Sequence, residues 1–277
     1  MIKEIIDKLV ALLAVSALLA SCSESELWQN PQTEARDGYI MLNFKTEIPA
    51  MQEVVTRAVD PDGGGVQDMT LFCFDSYGLF ISTVKAGVTV QKPGPGEMEG
   101  TFKAEVPENT RTIHFLANQN MDEFKEDSFR NKSESEVMAV LEGSSGRMIY
   151  WGRFACDAGN DSNIAEQMAT SGNSVKLIRN HARISVDNPD NNGHIVITGF
   201  AVCNTNAFGT VAPHHPKKGF DFTWPSSDDP FVTLPVNDAK MSDITDVTSS
   251  MNQYVFECEN SADAPVSVIL RGHLPDQ

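Results

Sequence analysis

Short runs of alternating or wholly apolar residues, each stopped by Gly, Pro, Asn or Asp, set the rhythm of this chain. Tyr39-Ile40-Met41-Leu42-Asn43-Phe44 reads as a first strand and Met69–Phe74 as a second. Asp75-Ser76-Tyr77-Gly78 is then a turn with glycine at its last position, and Leu79–Val84 resumes at once, which predicts a β-hairpin. Thr101–Val106 and Thr112–Ala117 follow, divided by Pro107-Glu108-Asn109, while Pro93-Gly94-Pro95-Gly96 can only be an exposed loop. Met121–Leu141 departs from this rhythm. It is charged, and Phe124, Phe129, Val137, Val140 and Leu141 fall loosely on one helical face, so a short helix is expected near Glu134–Leu141. Strands are expected again at Arg147–Phe154 and Val175–Asp187.

A later set of strands is predicted at His194–Val202, Phe231–Leu234, Gln253–Glu257 and Val266–Arg271. The polar segment Asp157–Asn173, rich in Asn, Ser and Gly, separates the two sets and puts a boundary near Ser174. The pattern therefore predicts an all-β protein of two consecutive β-sandwich domains, residues 37–174 and 175–277, with a short helix inserted in the first. Val266–Leu270 reads as a buried strand close to residue 277. So apolar a strand on an open edge would be a pairing hazard; either it lies inside the sheet by topology or, the favoured reading, the chain is a piece of something longer and the second domain is incomplete.

The N-terminus follows a different rule. Leu9–Ala20 is apolar for about a dozen residues, too short for a helix crossing ~30 Å of hydrocarbon, and Leu19-Ala20-Ser21 leads directly to Cys22. That is the layout of a bacterial lipoprotein signal: residues 1–21 would be removed and the sulfur of Cys22 acylated. Lys3 and Lys8 are offset by Glu4 and Asp7, which is weak for such a signal. Ser23-Glu24-Ser25-Glu26 restores the reading, because residues 22–36 then form a polar, solvated leash.

Removal of the signal leaves about 255 residues, enough for two ordinary domains or one large sandwich, and all of the formal charge of −17. Such a surface repels nucleic acid and anionic lipid, so attachment to an outer membrane would rest on the acyl chains of Cys22 alone. The other cysteines, Cys73, Cys156, Cys203 and Cys258, are widely spaced without a C-x-x-C pair, which indicates neither zinc nor a redox motif. Cys73 and Cys258 lie in apolar strand-like runs, where a buried free thiol is the common outcome. An exported chain permits disulfides, but the spacing pairs none.

Several of these segments, in this order, resemble the fimbrillin family of surface fimbriae. They are Thr56-Arg57-Ala58 before an acidic Gly-rich stretch, Met69–Phe74 with Asp75-Ser76-Tyr77-Gly78, and Val106-Pro107 with Thr112–Asn118. Tyr150-Trp151-Gly152, Leu177–Val186, Tyr254–Glu257 and Val268–Gly272 continue the series. No single motif is specific; the order covers nearly the whole chain. The resemblance implies two Greek-key, transthyretin-like sandwiches. It also implies an arginine-specific protease that cuts after an arginine near the end of the first strand. Here that arginine is Arg57, with Ala58 as the new N-terminus. The strand lost would be Tyr39, Ile40, Met41, Leu42, Asn43 and Phe44, and a strand from another fimbrial subunit would fill the groove. Arg57 also reads as an ordinary loop arginine. Family anchors and some accessory subunits keep both strand and lipid.

Chemistry is sparse elsewhere. His214-His215 lies between prolines in an extended run, where adjacent side chains point to opposite faces and do not share a metal. His114 and His181 fall in strand patterns. Asp60-Pro61-Asp62 with three glycines lacks the spacing of a calcium loop. No nucleophile elbow, P-loop or H-E-x-x-H is present, Asp228-Asp229 has no sign of a pocket, and no catalytic residue, metal or cofactor is assigned. The sequence thus points to a non-enzymatic surface lipoprotein of fimbriae and adhesion. The alternative is a glycan-binding lipoprotein of a carbohydrate-uptake system, which needs an exposed aromatic platform. Trp28, Trp151 and Trp224 are its candidates, and Phe220 and Phe222 lie beside the last of these.

Overall fold

The structure, a computed structural model, describes residues 35–47, 66–92, 99–121, 124–144, 148–186, 195–214, 230–238 and 252–274. Its strands are β1 (Tyr39–Glu47), β2 (Met69–Phe74), β3 (Phe80–Lys85), β4 (Gly87–Lys92) and β5 (Glu99–Pro107). Next come β6 (Thr112–Ala117), β7 (Glu142–Ser144), β8 (Tyr150–Ala155), β9 (Ser174–Lys176) and β10 (Ile178–Arg179). The last are β11 (His181–Ser185), β12 (Val196–Cys203), β13 (Phe208–Thr210), β14 (Asn252–Phe256) and β15 (Ser267–His273). Two short helices, α1 (Glu134–Met138) and α2 (Ile164–Thr170), interrupt them.

The chain is all-β, and its main body is a sandwich. A four-stranded sheet, β4-β5-β1-β9, faces a five-stranded sheet, β10-β8-β6-β2-β3. Alternation decides the core between them. Ile40, Leu42, Phe44, Phe102, Ala104, Val106 and Val175 point inward from the first sheet. Met69, Leu71, Cys73, Ile113, Phe115, Ala117 and Tyr150 meet them from the second. Helix α2 closes one end with Ile164, Ala165 and Met168.

The five-stranded sheet is buried on its other face too, which is why β2 and β6 are buried at every position and mostly apolar. Phe72, Phe74, Leu116 and Trp151 lie there under Phe129, Val137, Met138 and Leu141, joined by Val211, Ala212, Phe231 and Val232 from later in the chain. The β2–β3 hairpin turns as expected. Gly78 has φ +72°, and the Asp75 carboxylate accepts from the amides of Tyr77 and Leu79. Asn118, also left-handed at φ 64°, uses its amide to tie Gln67 N–H and the Met148 carbonyl to the end of β6.

Several sequence expectations are corrected. Val175–Asp187 is not one strand: β9 joins β1, β10 joins β8 and β11 joins β14, so the chain crosses between sheets. Gly152 makes that crossing possible, because a Cβ there would lie 2.6 Å from the Lys176 carbonyl and 2.8 Å from Leu177 Cδ2. The polar segment Asp157–Asn173 contains α2, started by a capping box in which Asn163 and Glu166 exchange side-chain and backbone bonds. Phe231–Leu234 is not a strand; Phe231 and Val232 are instead buried against the outer face of the five-stranded sheet. Cys258 lies beyond β14 and is partly exposed. β15 pairs with β12, but Val268 and Leu270 are 48% and 53% exposed, so this strand is not buried.

Candidate functional site

The residues around β1 form the candidate site. Its alternation puts Ile40, Leu42, Phe44 and Thr46 into the sandwich core, with Tyr39, Lys45 and Glu47 exposed. β5 pairs with β1 in antiparallel register from Tyr39↔Pro107 to Thr46↔Gly100. β9 flanks only the last part, in parallel register from Lys45↔Ser174 to Glu47↔Lys176. Lys45 N–H donates to the Asn173 carbonyl at 2.7 Å, and Leu177 N–H donates to the Glu47 carbonyl at 2.8 Å. β1 is thus paired on one side along most of its length and clamped on both sides at its end.

Phe44 anchors the strand. Its ring stacks on Phe102 at 5.6 Å and meets Phe115 edge-on at 5.0 Å, bridging the two sheets. At the start of the strand, Arg36 binds Glu105 of β5 through its backbone N–H (2.6 Å) and through Nε (2.7 Å), while its guanidinium lies 4.2 Å over the Tyr39 ring. The Arg36 amide, more than the guanidinium, holds the Glu105 carboxyl below its ordinary value. One position fits poorly. Thr46 is fully buried, and among the described residues its hydroxyl has no hydrogen-bond partner. Cys22, Arg57 and Ala58 lie outside the described residues, as do the acidic loop Asp60–Gly65, the Pro93–Gly96 loop and Asp228-Asp229.

A second cluster is polar and buried. The β6/β8 register sets His114 opposite Arg153, and α1 brings Glu134 over both. Arg153 forks onto Glu134 with Nε to Oε2 at 2.6 Å and a terminal nitrogen to Oε1 at 3.1 Å. The Trp151 indole N–H donates to His114 Nδ1 at 3.1 Å, so the imidazole proton sits on Nε2 and is donated to Glu134 Oε2 at 2.7 Å. Burial outweighs the pull of Glu134 and keeps His114 below its usual pKa, hence neutral. Burial pushes Glu134 upward, but bonds from His114 and Arg153 overcome it and hold the carboxyl at about 2. Phe231 stacks on His114 at 5.7 Å. Covered by rings and fixed in charge, this cluster fastens α1 to the sheet.

Trp151 lies within that packing and is no exposed platform, which removes one candidate from the glycan-binding alternative. Trp28, Phe220, Phe222 and Trp224 fall outside the described residues, as does His215. His114 is buried, and His181 packs on Phe256 with ring centroids 3.9 Å apart. Among the described residues no three His, Cys, Asp or Glu side chains gather in a way that could hold a metal. Cys73, Cys156, Cys203 and Cys258 are free thiols. Among the described residues no helix is long and apolar enough to cross a membrane. Sequence reasoning found β1 but missed its clamp, because β9 is three residues long and its partner is remote in the chain.

The architecture is therefore an all-β sandwich with a strand near its start held mainly from one side. No protein-family model matches the chain, and no curated protein matches it. Solved structures do. The chain is similar to a proposed cell-adhesion protein of Parabacteroides distasonis, at 16% identity over 85% of this chain and 76% of that one, with TM-score 0.46. It is also similar to a fimbrial assembly protein of the same organism, at 13% identity over 85% and 82% of the two chains, with TM-score 0.42. The tip fimbrial protein Mfa3 of Porphyromonas gingivalis, with a C-terminal truncation, matches at 15% identity over 80% and 71%, with TM-score 0.44.

Proposed function

We propose that this chain is a cell-surface lipoprotein that serves as a structural or accessory subunit of a fimbrium and acts in adhesion. In this reading residues 1–21 are the export signal and acylated Cys22 holds the protein at the outer membrane. The chain forms two sandwich domains, the first running past the expected boundary at Ser174 to take in β9 and β10. Cleavage after Arg57 severs the covalent link between the body and β1 with its lipid, and a strand from another subunit then takes the place of β1. The observation that supports it is the setting of β1, the first strand among the described residues, which turns Ile40, Leu42 and Phe44 inward and is flanked by β9 over three residues.

Magnitudes add a condition. Ile40, Leu42 and Phe44 are each worth roughly 1.5–3 kcal/mol of burial, so a cut alone would leave β1 seated by noncovalent contacts. Release would need a competing strand that supplies the same contacts. The test is digestion of the folded protein with an arginine-specific protease, followed by a tagged peptide of sequence Tyr39–Glu47. A new N-terminus at Ala58 and exchange of the resident strand for the peptide are expected. Resistance of Arg57 in the folded protein would leave an anchor or tip role and remove polymerisation by strand replacement.

A further inference from the structure

The position of Thr46 is poorly matched to threonine, and we propose that it selects the strand that replaces β1. The inferred occupant is an extended segment of another subunit with aliphatic side chains at the Ile40 and Leu42 positions, an aromatic ring at the Phe44 position and valine at the Thr46 position. This inference rests on the strand-replacement reading and adds which strand the groove prefers.

Thr46 sits where β1 is closed in on every side. Across the sheet it pairs with Gly100 of β5 and Val175 of β9, and it is fully buried. Its hydroxyl gives up hydrogen bonds to water on burial and receives none in return from the described residues. Backbone bonds from Lys45 and Glu47 to the chain around β9 pin both neighbours, so the strand cannot slide to find a partner. Valine has the same shape without the stranded donor and acceptor. The other core positions of β1 are already apolar. Thr46 is therefore the place where a competitor improves on the resident while keeping every other contact. The direction of the competitor is set as well, because it must run antiparallel to β5 and parallel to β9.

The experiment uses protein cut at Arg57 and two tagged peptides, Tyr39–Glu47 and its Thr46→Val form, in competition for the groove. Both should bind, the valine form about tenfold more tightly, which is about 1.4 kcal/mol. Equal affinity, or weaker binding of the valine form, would overturn the inference and leave strand replacement standing. Failure of both peptides to bind would sink strand replacement and this inference with it. The uncut protein provides a readout independent of cleavage. Thr46→Val in the intact chain should raise the thermal midpoint by about 2–4 °C, and an unchanged or lower midpoint would show that the hydroxyl is not a liability.

Discussion

β2 and β15 both carry a continuous apolar run, Leu71-Phe72-Cys73-Phe74 in one and Val268-Ile269-Leu270 in the other, yet β2 is buried at every position and β15 is exposed at most of them. β2 lies inside the five-stranded sheet, with the four-stranded sheet on one face and α1 with Phe129 and Phe231 on the other. β15 pairs with β12 alone, and among the described residues only Ile269 packs, against Ala201 and Cys203. Apolar composition marks a segment as able to be buried. A second layer decides whether it is.

The largest break in that contrast should come from Trp151→Ala. It empties an aromatic volume in the outer packing and strips His114 of its donor, so a loss of about 3–5 kcal/mol is expected in urea titrations. A loss below about 1 kcal/mol would mean that the outer layer over the five-stranded sheet is not a true core.

Acid should come next. His114 and His181, the latter held at about 4 by burial, bind fewer protons folded than unfolded. Glu134 does the same from its ordinary 4.5 down to about 2. Each of these depressed values favours the folded state at higher pH, so stability should fall as pH drops from about 6.5 toward 2. In denaturation curves at stepped pH, Glu134→Gln should flatten the fall below pH 4.5 and leave the fall above it. An equally steep curve in that variant would show that Glu134 does not carry the effect.

Gly209→Ala tests the join between β7 and the later strands. Gly143 and Gly209 are opposite one another, and a Cβ on either would crowd the Phe256 ring. A loss of about 1–3 kcal/mol is expected, read from the thermal midpoint, and a neutral result would mean the ring moves aside freely. Leu270→Ala on β15 should have the smallest effect, within about 0.5 kcal/mol. A larger loss would show that Leu270 is covered in solution and would narrow the contrast with β2.

Much of the first sandwich was readable from local pattern. Met69–Phe74 and Thr112–Ala117 are strands at their expected bounds, and the Asp75–Gly78 turn closes the hairpin. Helix α2 was legible too, in Asn163-Ile164-Ala165-Glu166, but the polar composition around that capping box concealed it. The division of Ser174–Ser185 among three pairings was not legible. One continuous apolar pattern fits either a single strand or three short ones, and only neighbours remote in sequence choose between them.

The sequence alone determined the alternation that faces Ile40, Leu42 and Phe44 one way, the turn chemistry, and the all-β class, because these follow from period and local sterics. Tertiary structure decided that, among the described residues, β1 is clamped on both sides at its end alone, that Trp151 is sealed under Phe231 and α1, and that β15 stays exposed. Burial depends on which surfaces meet across the fold, and no local pattern of residues contains that information.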